Sequence, residues 1–564
     1  MSDIAALVAD NLDIWTGAIE RKSGAGRGGG SKRISLYGIE RLQALILDLA
    51  VRGKLVPQDA AEEPANKLLP GIERERQRRL KAKEIKNSKG PAKLCSEPFE
   101  IPSGWIWLPL WQTGNIFTGN SINATLRSEL AANGEGLPFV ATKDVGYGFE
   151  PIDYHNGLFV SFDDERFNIA QPNSVFICAE GGSAGRKMAI SDRAIAFGNK
   201  LIANEPWPQI DPRYVLCTYL SDFFFGCFSR EMTGIIGGIS RAKFLALPFP
   251  LPPLAEQRRI VAKVDELIAL CDALERESAD ALAAHQTLVD TLLTTLVNSA
   301  DAADLAANWA RLESHFDTLF TTEASIAALQ QAILDLAVRG KLVEQDAGDE
   351  PGTTLLKRIK AWQAEQVAKK QIRLPRKPLS PVATDEVPAD LPDNWSPVRL
   401  GEIIYIQSGD GLTSAQMEPG DIPVFGGNGI NGYHDQQNVF RETIVIGRVG
   451  FYCGSIHVTP PAAWVTDNAF VTHFDERSIH LPFLRLLLTA TNLKEDENAT
   501  AQPVISGAKV YPIVVGLPPL AEQHRIVAKV DELMALCNTL RARLADAAEN
   551  RRHLADAIVE RATA

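Results

Sequence analysis

Two stretches of the chain are almost identical. LPPLAEQRRIVAKVDELIALCDALE begins at Leu251, and LPPLAEQHRIVAKVDELMALCNTLR begins at Leu517. A second phrase is also present twice, as LQALILDLAVRGKLVPQD from Leu42 and LQQAILDLAVRGKLVEQD from Leu329. Because internal repetition in a fixed order is the sequence signature of a duplicated structure, we predict a chain built from two similar halves.

Between its repeated phrases each half carries a long stretch that differs from its counterpart. IPSGW (101–105) and LPDNW (391–395) open the two stretches, while ISRAK (239–243) and ISGAK (505–509) close them. Short β-rich runs in between, such as SVFICA (174–179) and ETIVIG (442–447), alternate with Gly, Asn and Pro turns, a pattern typical of mixed α/β domains. We therefore predict two globular modules of one fold with different surfaces.

The residues after each LPP predict a long helix, because proline ends an incoming strand and the apolar residues then alternate at intervals of four and three. About 40 residues of such a helix span roughly 60 Å. A narrow stripe of this kind usually faces a partner helix, although an amphipathic helix can also simply complete a domain core. The predicted coiled-coil spacer residues are Ile260, Val264, Leu267, Cys271, Leu274, Ile526, Val530, Leu533, Cys537 and Leu540.

The order of the repeats predicts which helices pack together. The helix from Leu254 leads toward the phrase around Asp335, so these two are expected to form a neighbouring antiparallel pair. The helix from Leu520 has no following copy of that phrase, whose equivalent lies around Asp48. The two ends of the chain are therefore expected to meet.

Composition limits the class of protein. The 564 residues are 45% hydrophobic and carry a net charge of −12, which fits several soluble domains, and any basic footprint for nucleic acid must then be local. The first residues, MSDIAALVADNLDIW, do not resemble a secretory signal, so a cytosolic location is expected. Seven scattered cysteines favour reduced, buried thiols over disulfides or zinc.

The two repeated phrases, together with IPSGW and LPDNW, closely resemble those of the specificity subunit of type I restriction-modification systems. The resemblance covers nearly the whole chain from about Ile39 onward. It implies an α/β (α+β) fold with a pseudo-twofold internal repeat, in which long antiparallel coiled-coil helices separate two globular target-recognition domains. Each domain would read one half of a bipartite, asymmetric DNA sequence.

The resemblance also implies partners and cofactors. The expected partners are double-stranded DNA, two methyltransferase subunits and restriction motor subunits, without a membrane. This chain is expected to bind no cofactor, while S-adenosylmethionine, ATP and Mg belong to the partner subunits.

The implied domain organisation has seven segments. They are an N-terminal extension with a Gly-rich linker (1–38), a first helical segment with a charged linker (39–97), the first module (98–250), a central coiled-coil region (251–345), a charged linker (346–387), the second module (388–516) and a distal helix that pairs with the N-terminal helix (517–564).

Candidate DNA-contacting residues are side chains in loop contexts that can bond phosphates or base edges. They are Lys143, Arg186, Lys187, Asn199, Lys200, Arg241 and Lys243 in the first module, and Asn428, Asn431, Tyr433, Gln436, Gln437, Arg448 and Lys509 in the second. For each of them the alternative is a residue that only satisfies a turn or solvates a surface. Lys243 and Lys509 recur at matching positions, which favours a shared phosphate contact over base reading, with a structural role of the border as the alternative.

Basic segments precede both modules, from Ile72 and from Lys357. Their interleaved Glu residues favour a solvated helix lying on the repeated frame, although the segments could also track a DNA backbone.

Catalytic motifs are missing from the sequence. It contains no NPPY-like or DPPY-like tetrapeptide for amino-group methylation and no phosphate-binding P-loop, and the His434–Asp435 pair is interpreted as a surface feature. We therefore predict no intrinsic enzyme activity and no bound metal. Two rival hypotheses are a DNA-targeting subunit of a methylation-only or other phage-defence complex, and an interaction scaffold that does not bind DNA.

Overall fold

The computed structural model of the protein describes residues 4–563 except 23–32, 87–96, 235–236, 374–377, 389, 451–452, 492 and 494–503. The Gly-rich linker predicted at 24–32 lies outside the described residues. Contacts within the chain divide it into two compact units. The first unit is Met1–Asp280 with Ala547–Ala564, and the second is Ala281–Asp546.

The N-terminal part of the first unit is mainly helical. Its elements are α1 (Ile4–Asp10), α2 (Leu12–Gly17), β1 (Glu20–Lys22), β2 (Arg33–Ser35), α3 (Tyr37–Val51) and α4 (Leu69–Lys81). Helix α3 carries one of the repeated phrases and ends before Gly53, whose φ is 68°. The N–H of Lys54 then returns to the carbonyl of Leu49, which closes the helix in the left-handed turn that glycine favours.

Gly53→Ala is expected to lower the free energy of unfolding of the first unit by about 3 kcal/mol, because a left-handed alanine costs about 1–2 kcal/mol and its Cβ would collide with Pro102, an overpacking cost of similar size. Gly134 is a matched control, since its φ is 67° but no atom lies within 4 Å of an added Cβ. Gly134→Ala should cost only the left-handed strain. Urea unfolding measures both variants, and equal losses would contradict the role assigned to Pro102.

The first module contains most strands of the first unit. Its elements are β3 (Ile106–Pro109), β4 (Gly114–Thr118), α5 (Ala124–Ala132), β5 (Leu137–Val140), β6 (Phe159–Val160), β7 (Ile169–Ala170), β8 (Val175–Cys178), β9 (Met188–Ile190), β10 (Ile195–Phe197), β11 (Leu201–Pro206), α6 (Pro212–Leu220), α7 (Asp222–Glu231), α8 (Arg241–Leu245) and β12 (Pro248–Leu251). The strands form sheets in the orders β4-β11-β8-β9, β6-β5-β10-β7 and β12-β3.

Five helices follow the first module. They are α9 (Leu254–Val297), α10 (Ala302–Ser314), α11 (Phe316–Leu319), α12 (Glu323–Val338) and α13 (Gly352–Ala368). Strand β12 ends at Leu251 and α9 begins at Leu254, as the intervening prolines predict. Helix α9 is 44 residues long, which confirms the predicted long helix.

The antiparallel arrangement predicted for the helices around Leu254 and Asp335 is wrong within the second unit. In the last third of α9, His285 contacts the carbonyl of Thr318, which precedes α12. Beyond the end of α9, Asn298 accepts a hydrogen bond from Arg339, which follows α12. The two helices therefore run in the same direction there, because α10 provides the return path.

The second module and the last helix complete the chain. Their elements are β13 (Ser396–Arg399), α14 (Leu400–Ile403), β14 (Tyr405–Ser408), β15 (Ile422–Gly426), β16 (Gly429–His434), β17 (Ile444–Gly447), β18 (Ile456–Val458), β19 (Trp464–Val465), β20 (Ala469–His473), α15 (Leu481–Ala490), α16 (Gly507–Val510), β21 (Val514–Leu517) and α17 (Leu520–Thr563). The strands form sheets in the orders β14-β20-β17-β18, β16-β15-β19 and β13-β21.

The two modules share the strand order of the main sheet, although β7 of the other sheet has no counterpart among the described strands of the second module. Strands β14, β20, β17 and β18 take the places of β4, β11, β8 and β9 in a sheet of the same order. In the other sheet β10 pairs parallel with β5, as β19 does with β15. The prediction of two α/β modules of one fold is confirmed.

The predicted stripe packs into the core of each unit. Ile260, Val264, Leu267 and Cys271 are buried in a cluster that also contains residues of α3. Ile526, Val530 and Cys537 are buried with residues of α12. Three further stripe residues, Leu274, Leu533 and Leu540, are partly buried against these clusters. The stripe thus joins the repeated phrases of each half.

The two ends of the chain meet within the first unit, as the repeat order predicts. Asp556 near the end of α17 accepts hydrogen bonds from the Tyr37 hydroxyl at 2.8 Å and from Arg41 Nε at 2.9 Å. Further along, the Lys54 ammonium donates to the Thr563 carbonyl. Helices α3 and α17 therefore also run in the same direction.

The described parts of both basic segments are helical. Helix α4 lies against the first module rather than only on the frame, because Arg79 is 3.6 Å from the carboxylate of Glu205 and stacks over Trp207. Helix α13 buries Leu355 and Ile359 in the core of the second unit. Residues 87–96 and 374–377, which belong to the same segments, lie outside the described residues.

Cysteines, possible metal ligands and possible membrane helices were sought in the part of the chain that the structure describes. Six cysteines are free and buried there, as expected for reduced thiols. No group of three or more His, Cys, Asp or Glu residues that could hold a metal occurs among the described residues. No described helix is both long and apolar enough to cross a membrane.

Candidate nucleic-acid interface

The LPPLAEQ phrase is a joint between each long helix and its module. In the first unit the Glu256 carboxylate accepts hydrogen bonds from the Trp105 indole N–H at 2.9 Å and from Gln58. In the second unit Gln345 donates to Glu522 at 2.6 Å. Burial raises the pKa of both carboxyl groups, so each joint is a largely enclosed hydrogen-bond site.

The next residue of the phrase holds a module helix. Gln257 Oε1 accepts the N–H of Asp211, which caps α6, and Gln523 Oε1 accepts the N–H of His480, which precedes α15, both at 2.8 Å. These glutamines and Glu256 are not among the functional residues that the sequence predicts. The signal that could have identified them is that Glu and Gln are repeated in both copies of the LPPLAEQ phrase. Polar residues repeated beside an apolar stripe indicate hydrogen-bond partners that are the same in both halves.

The closing border of each module lies beside the turn that follows its central strand. Ile239 donates its backbone N–H to the carbonyl of Ala179, and Ile505 donates to the carbonyl of Arg448, both at 2.9 Å. In both modules the ISxAK residues are therefore close to the Gly-containing turn. Candidate DNA-contacting residues that are far apart in the sequence thus lie in one region of the module.

Three basic candidates of the first module lie around this turn. Arg186 is exposed, with its guanidinium carbon 5.1 Å from the Phe225 ring centroid. Lys187 is half-buried and donates to the Thr142 carbonyl at 3.4 Å. The neighbouring Lys143 lies 3.6 Å from the Asp144 carboxylate. The structure thus brings Lys143 and Lys187 together.

Asn199 and Arg241 line one cleft of about 650 Å³. Arg241 donates through Nη2 to the Ile116 carbonyl at 2.7 Å, which fixes its guanidinium beside β4. Lys200 follows Asn199 and is exposed. This cleft thus brings two candidate DNA-contacting residues of the first module, Asn199 and Arg241, into one concave site.

The paired lysines of the closing borders have different surroundings. The Lys243 ammonium is 3.1 Å from the Glu231 carboxylate and donates to the Glu231 carbonyl. Lys509 is exposed, and no ion pair of its ammonium is found within the described ranges. A phosphate contact shared by Lys243 and Lys509 stays a prediction. Lys243 differs from Lys509 because it already forms an ion pair with Glu231.

The candidates of the second module lie mainly on the β15–β16 hairpin. Asn428 in its turn, and Asn431 and Tyr433 on β16, are exposed, and Tyr433 keeps 56% of its surface accessible. An added Cβ at Gly426 would collide with the Asn431 amide, so this glycine makes room for the side chain. Beyond the strand, Gln436 is exposed and Gln437 half-buried. The hairpin presents amide groups of the kind that bond base edges.

The interpretation of His434 as a surface residue is wrong. Its side chain is almost fully buried, and its Nδ1 accepts the N–H of Glu418 at 3.0 Å. Its ring meets that of Trp464 edge to face, with centroids 5.4 Å apart. His434 is buried because it ends β16 on the inner face, while the neighbouring Asp435 is exposed.

Arg448 is held in the turn after β17. Its Nη1 donates to the Ser408 hydroxyl at 3.2 Å and to the Asp467 carbonyl at 3.4 Å. Its guanidinium carbon lies 5.4 Å from the centroid of the Phe470 ring. Of the second-module candidates, Arg448 thus has the most completely fixed side chain. Contact with DNA stays a prediction for every candidate residue.

Comparisons with known proteins agree with this geometry. Residues 111–284 and 392–550 match the model of the family described as "Type I restriction modification DNA specificity domain", so each module contains one match. The chain is 34% identical to the type I restriction enzyme EcoEI specificity subunit of Escherichia coli, over 99% of both chains. It is 33% identical to the EcoAI specificity subunit of the same organism, also over 99% of both chains.

A similar solved structure comes from work on complex assembly and conformational transition of the type I R-M system. It is 17% identical, with a TM-score of 0.47, and the match covers 83% of this chain and 99% of that chain.

Proposed function

The chain belongs to the specificity subunits of type I restriction-modification systems, and we propose that it reads a bipartite, asymmetric DNA target and assembles with methyltransferase and restriction subunits. The observation that carries this proposal is the presence of two family domains in two modules that share the strand order of their main sheet. Their loops differ in sequence, as two different half-sites require, because bases are read by the side chains that reach them.

The repeated surface of the long helices supports assembly with two copies of one partner. Leu270 on α9 and Leu536 on α17 stand at equivalent positions of the repeated phrase and are 42% and 43% exposed. Leu288 and Leu554 are a second equivalent pair, 51% and 50% exposed. Large apolar side chains exposed at matching positions are suited to protein contacts. We propose that they contact the two methyltransferase subunits.

Replacing Leu270 and Leu536 together by Gln is expected to weaken methyltransferase binding about 10-fold or more, because each leucine loses a buried contact worth roughly 1.5–3 kcal/mol. Stability should change by only about 0.5 kcal/mol, since both side chains are exposed and Gln is a good helix former. Titration calorimetry with the methyltransferase subunit measures the affinity. Glu277→Gln, at another exposed position of α9, is the control, and an unchanged affinity of the double variant would rule out this surface.

Cofactors and location complete the proposal. S-adenosylmethionine, ATP and Mg would act in the partner subunits, and this chain would contribute recognition only. A cytoplasmic location belongs to the same proposal, because the DNA and the partner subunits are there.

Genome-wide mapping of N6-methyladenine tests the proposed function. The methyltransferase subunit is expressed with and without this chain in cells that lack other adenine methylation. The proposal predicts a two-part motif that appears only when both proteins are present. A stable complex that leaves methylation unchanged would instead favour an interaction scaffold.

A further inference from the structure

The strand registers of the two modules define equivalent positions around the cleft beside β4. Cys178 pairs with Leu201 in the first module, and Gly447 pairs with Ala469 in the second. The residues that follow, Ala179 and Arg448, are therefore equivalent. This equivalence is independent of sequence similarity, which is very low between the two stretches.

Residues that line the cleft in the first module have equivalents in the second module. In the first module it is lined by Thr118, Ala179, Asn199, Ser240 and Arg241, among others. Thr118 pairs with Ile202, as Ser408 pairs with Phe470, so the hydroxyl of Ser408 takes the place of that of Thr118. The closing borders ISRAK and ISGAK likewise place Gly507 where the first module has Arg241.

A guanidinium group lies at this place of the fold in both modules, but it comes from different segments. In the first module the closing border supplies Arg241 while the turn has the small Ala179. In the second module the turn supplies Arg448 while the border has the small Gly507. Both groups are anchored to the same strand of the fold, Arg241 at the carbonyl of Ile116 on β4 and Arg448 at the Ser408 hydroxyl on β14. The arginine and the small residue have thus exchanged positions.

We infer that this place in each module reads one guanine of the half-site through its arginine, Arg241 in the first module and Arg448 in the second. The inference rests on the proposed function and names the base and the residues. A planar guanidinium held by hydrogen bonds can meet the O6 and N7 acceptors of guanine together. Because the two arginines come from different segments of the module, the two half-sites would place this guanine differently.

The fixed plane of Arg448 favours base reading over a phosphate contact. Nη1 is held by two oxygen atoms, and the Phe470 ring lies 5.4 Å from the guanidinium carbon. A phosphate contact requires a positive charge but not a guanidinium held in a fixed plane. An arginine that contacts a phosphate would also be expected at the same position in both modules.

Methylation mapping of Arg448→Lys, Arg448→Ala and Arg241→Ala in the complete complex tests the inference. The wild-type motif should require a G·C pair at one position of each half. Both Arg448 variants should relax that position in one half by about 10- to 100-fold and leave the other half unchanged, and Arg241→Ala should relax the other half. Arg477→Ala is the matched control in the second module, because its side chain is 77% exposed and paired with Asp475.

Three results would overturn the inference. A lower methylation level with an unchanged motif in Arg448→Lys indicates a phosphate contact, and relaxation of both halves by one variant indicates general loosening of the fold. A wild-type motif that lacks a required G·C pair in one half or in both also excludes it. Arg448→Lys keeps the charge and gives the answer even if Arg448→Ala does not fold. If the wild-type chain directs no motif at all, the proposed function fails instead.

Discussion

Removing residues 547–564 from the end of α17 is expected to unfold the first unit. Ala555, Ile558 and Val559 are buried in its core, and Asp556 bonds to Tyr37 and Arg41 of α3. Burying Ile558 and Val559 alone contributes roughly 1.5–3 kcal/mol each. With the lost hydrogen bonds the total is about 5 kcal/mol, which is comparable with the whole stability of a domain.

Urea unfolding combined with limited proteolysis measures this effect. The truncated chain should lose the transition of the first unit and become cleavable in residues 97–234, while the second unit keeps its transition. Leu554→Ser is the control within the same segment, because Leu554 is 50% exposed and should change stability by only about 0.5 kcal/mol. A truncated chain that retains both transitions would contradict the placement of the two chain ends in one unit.

Trp105→Ala is expected to cost about 3–5 kcal/mol in the first unit, the usual effect of removing a buried aromatic side chain. Trp105 is 4% exposed, packs edge to face on Tyr214 and donates its indole N–H to Glu256. The variant therefore removes both the packing and the hydrogen bond that connect the first module to α9. Denaturant unfolding, followed by the transition of the first unit, measures the loss.

Two further variants separate the contributions to the joint. Trp105→Phe keeps most of the packing but leaves the buried Glu256 without its indole donor, so we expect a smaller loss of about 1–3 kcal/mol. Trp395→Ala, at the corresponding buried position of LPDNW, should destabilise the second unit and spare the first. Equal losses for Trp105→Ala and Trp105→Phe would mean that the hydrogen bond, and not the packing, holds the joint.

The duplicated architecture could be predicted because the repeated phrases combine strong local signals. The prolines after Leu251 and Leu517 end a strand, and the apolar stripe that follows specifies a long helix, so both helices were predictable in position and type. The meeting of the chain ends followed from the order of the repeats. Each of these features depends on residues that are close in sequence or on the repetition itself.

Helix direction and side-chain burial could not be predicted in the same way. The direction of α12 relative to α9 depends on α10, a short helix that begins after the Asp301 cap and lies outside both repeated phrases. His434 is buried because Glu418 and Trp464 surround it, and neither neighbour is evident from the sequence around His434. Such features depend on contacts between segments that are far apart in the sequence, and no repeated or periodic pattern in the sequence indicates those contacts.

The candidate DNA contacts show the same limit. Residue type and loop context selected both Arg241 and Arg448, but only the strand registers reveal that the segments carrying them are neighbours at the same place of the fold. In contrast, Lys243 and Lys509 match in sequence yet differ in surroundings, because Glu231 pairs with Lys243. The sequence therefore identifies groups that are able to contact DNA, and the structure shows which of them share a site.

The most direct test of the account is an exchange of one module. A chain in which residues 98–250 are replaced by the corresponding module of a relative with a different target is expressed with the methyltransferase subunit, and N6-methyladenine is mapped across the genome. The account predicts a motif in which one half changes and the other half is retained. A motif that is unchanged, or that changes in both halves, would contradict the claim that each module reads its own half-site.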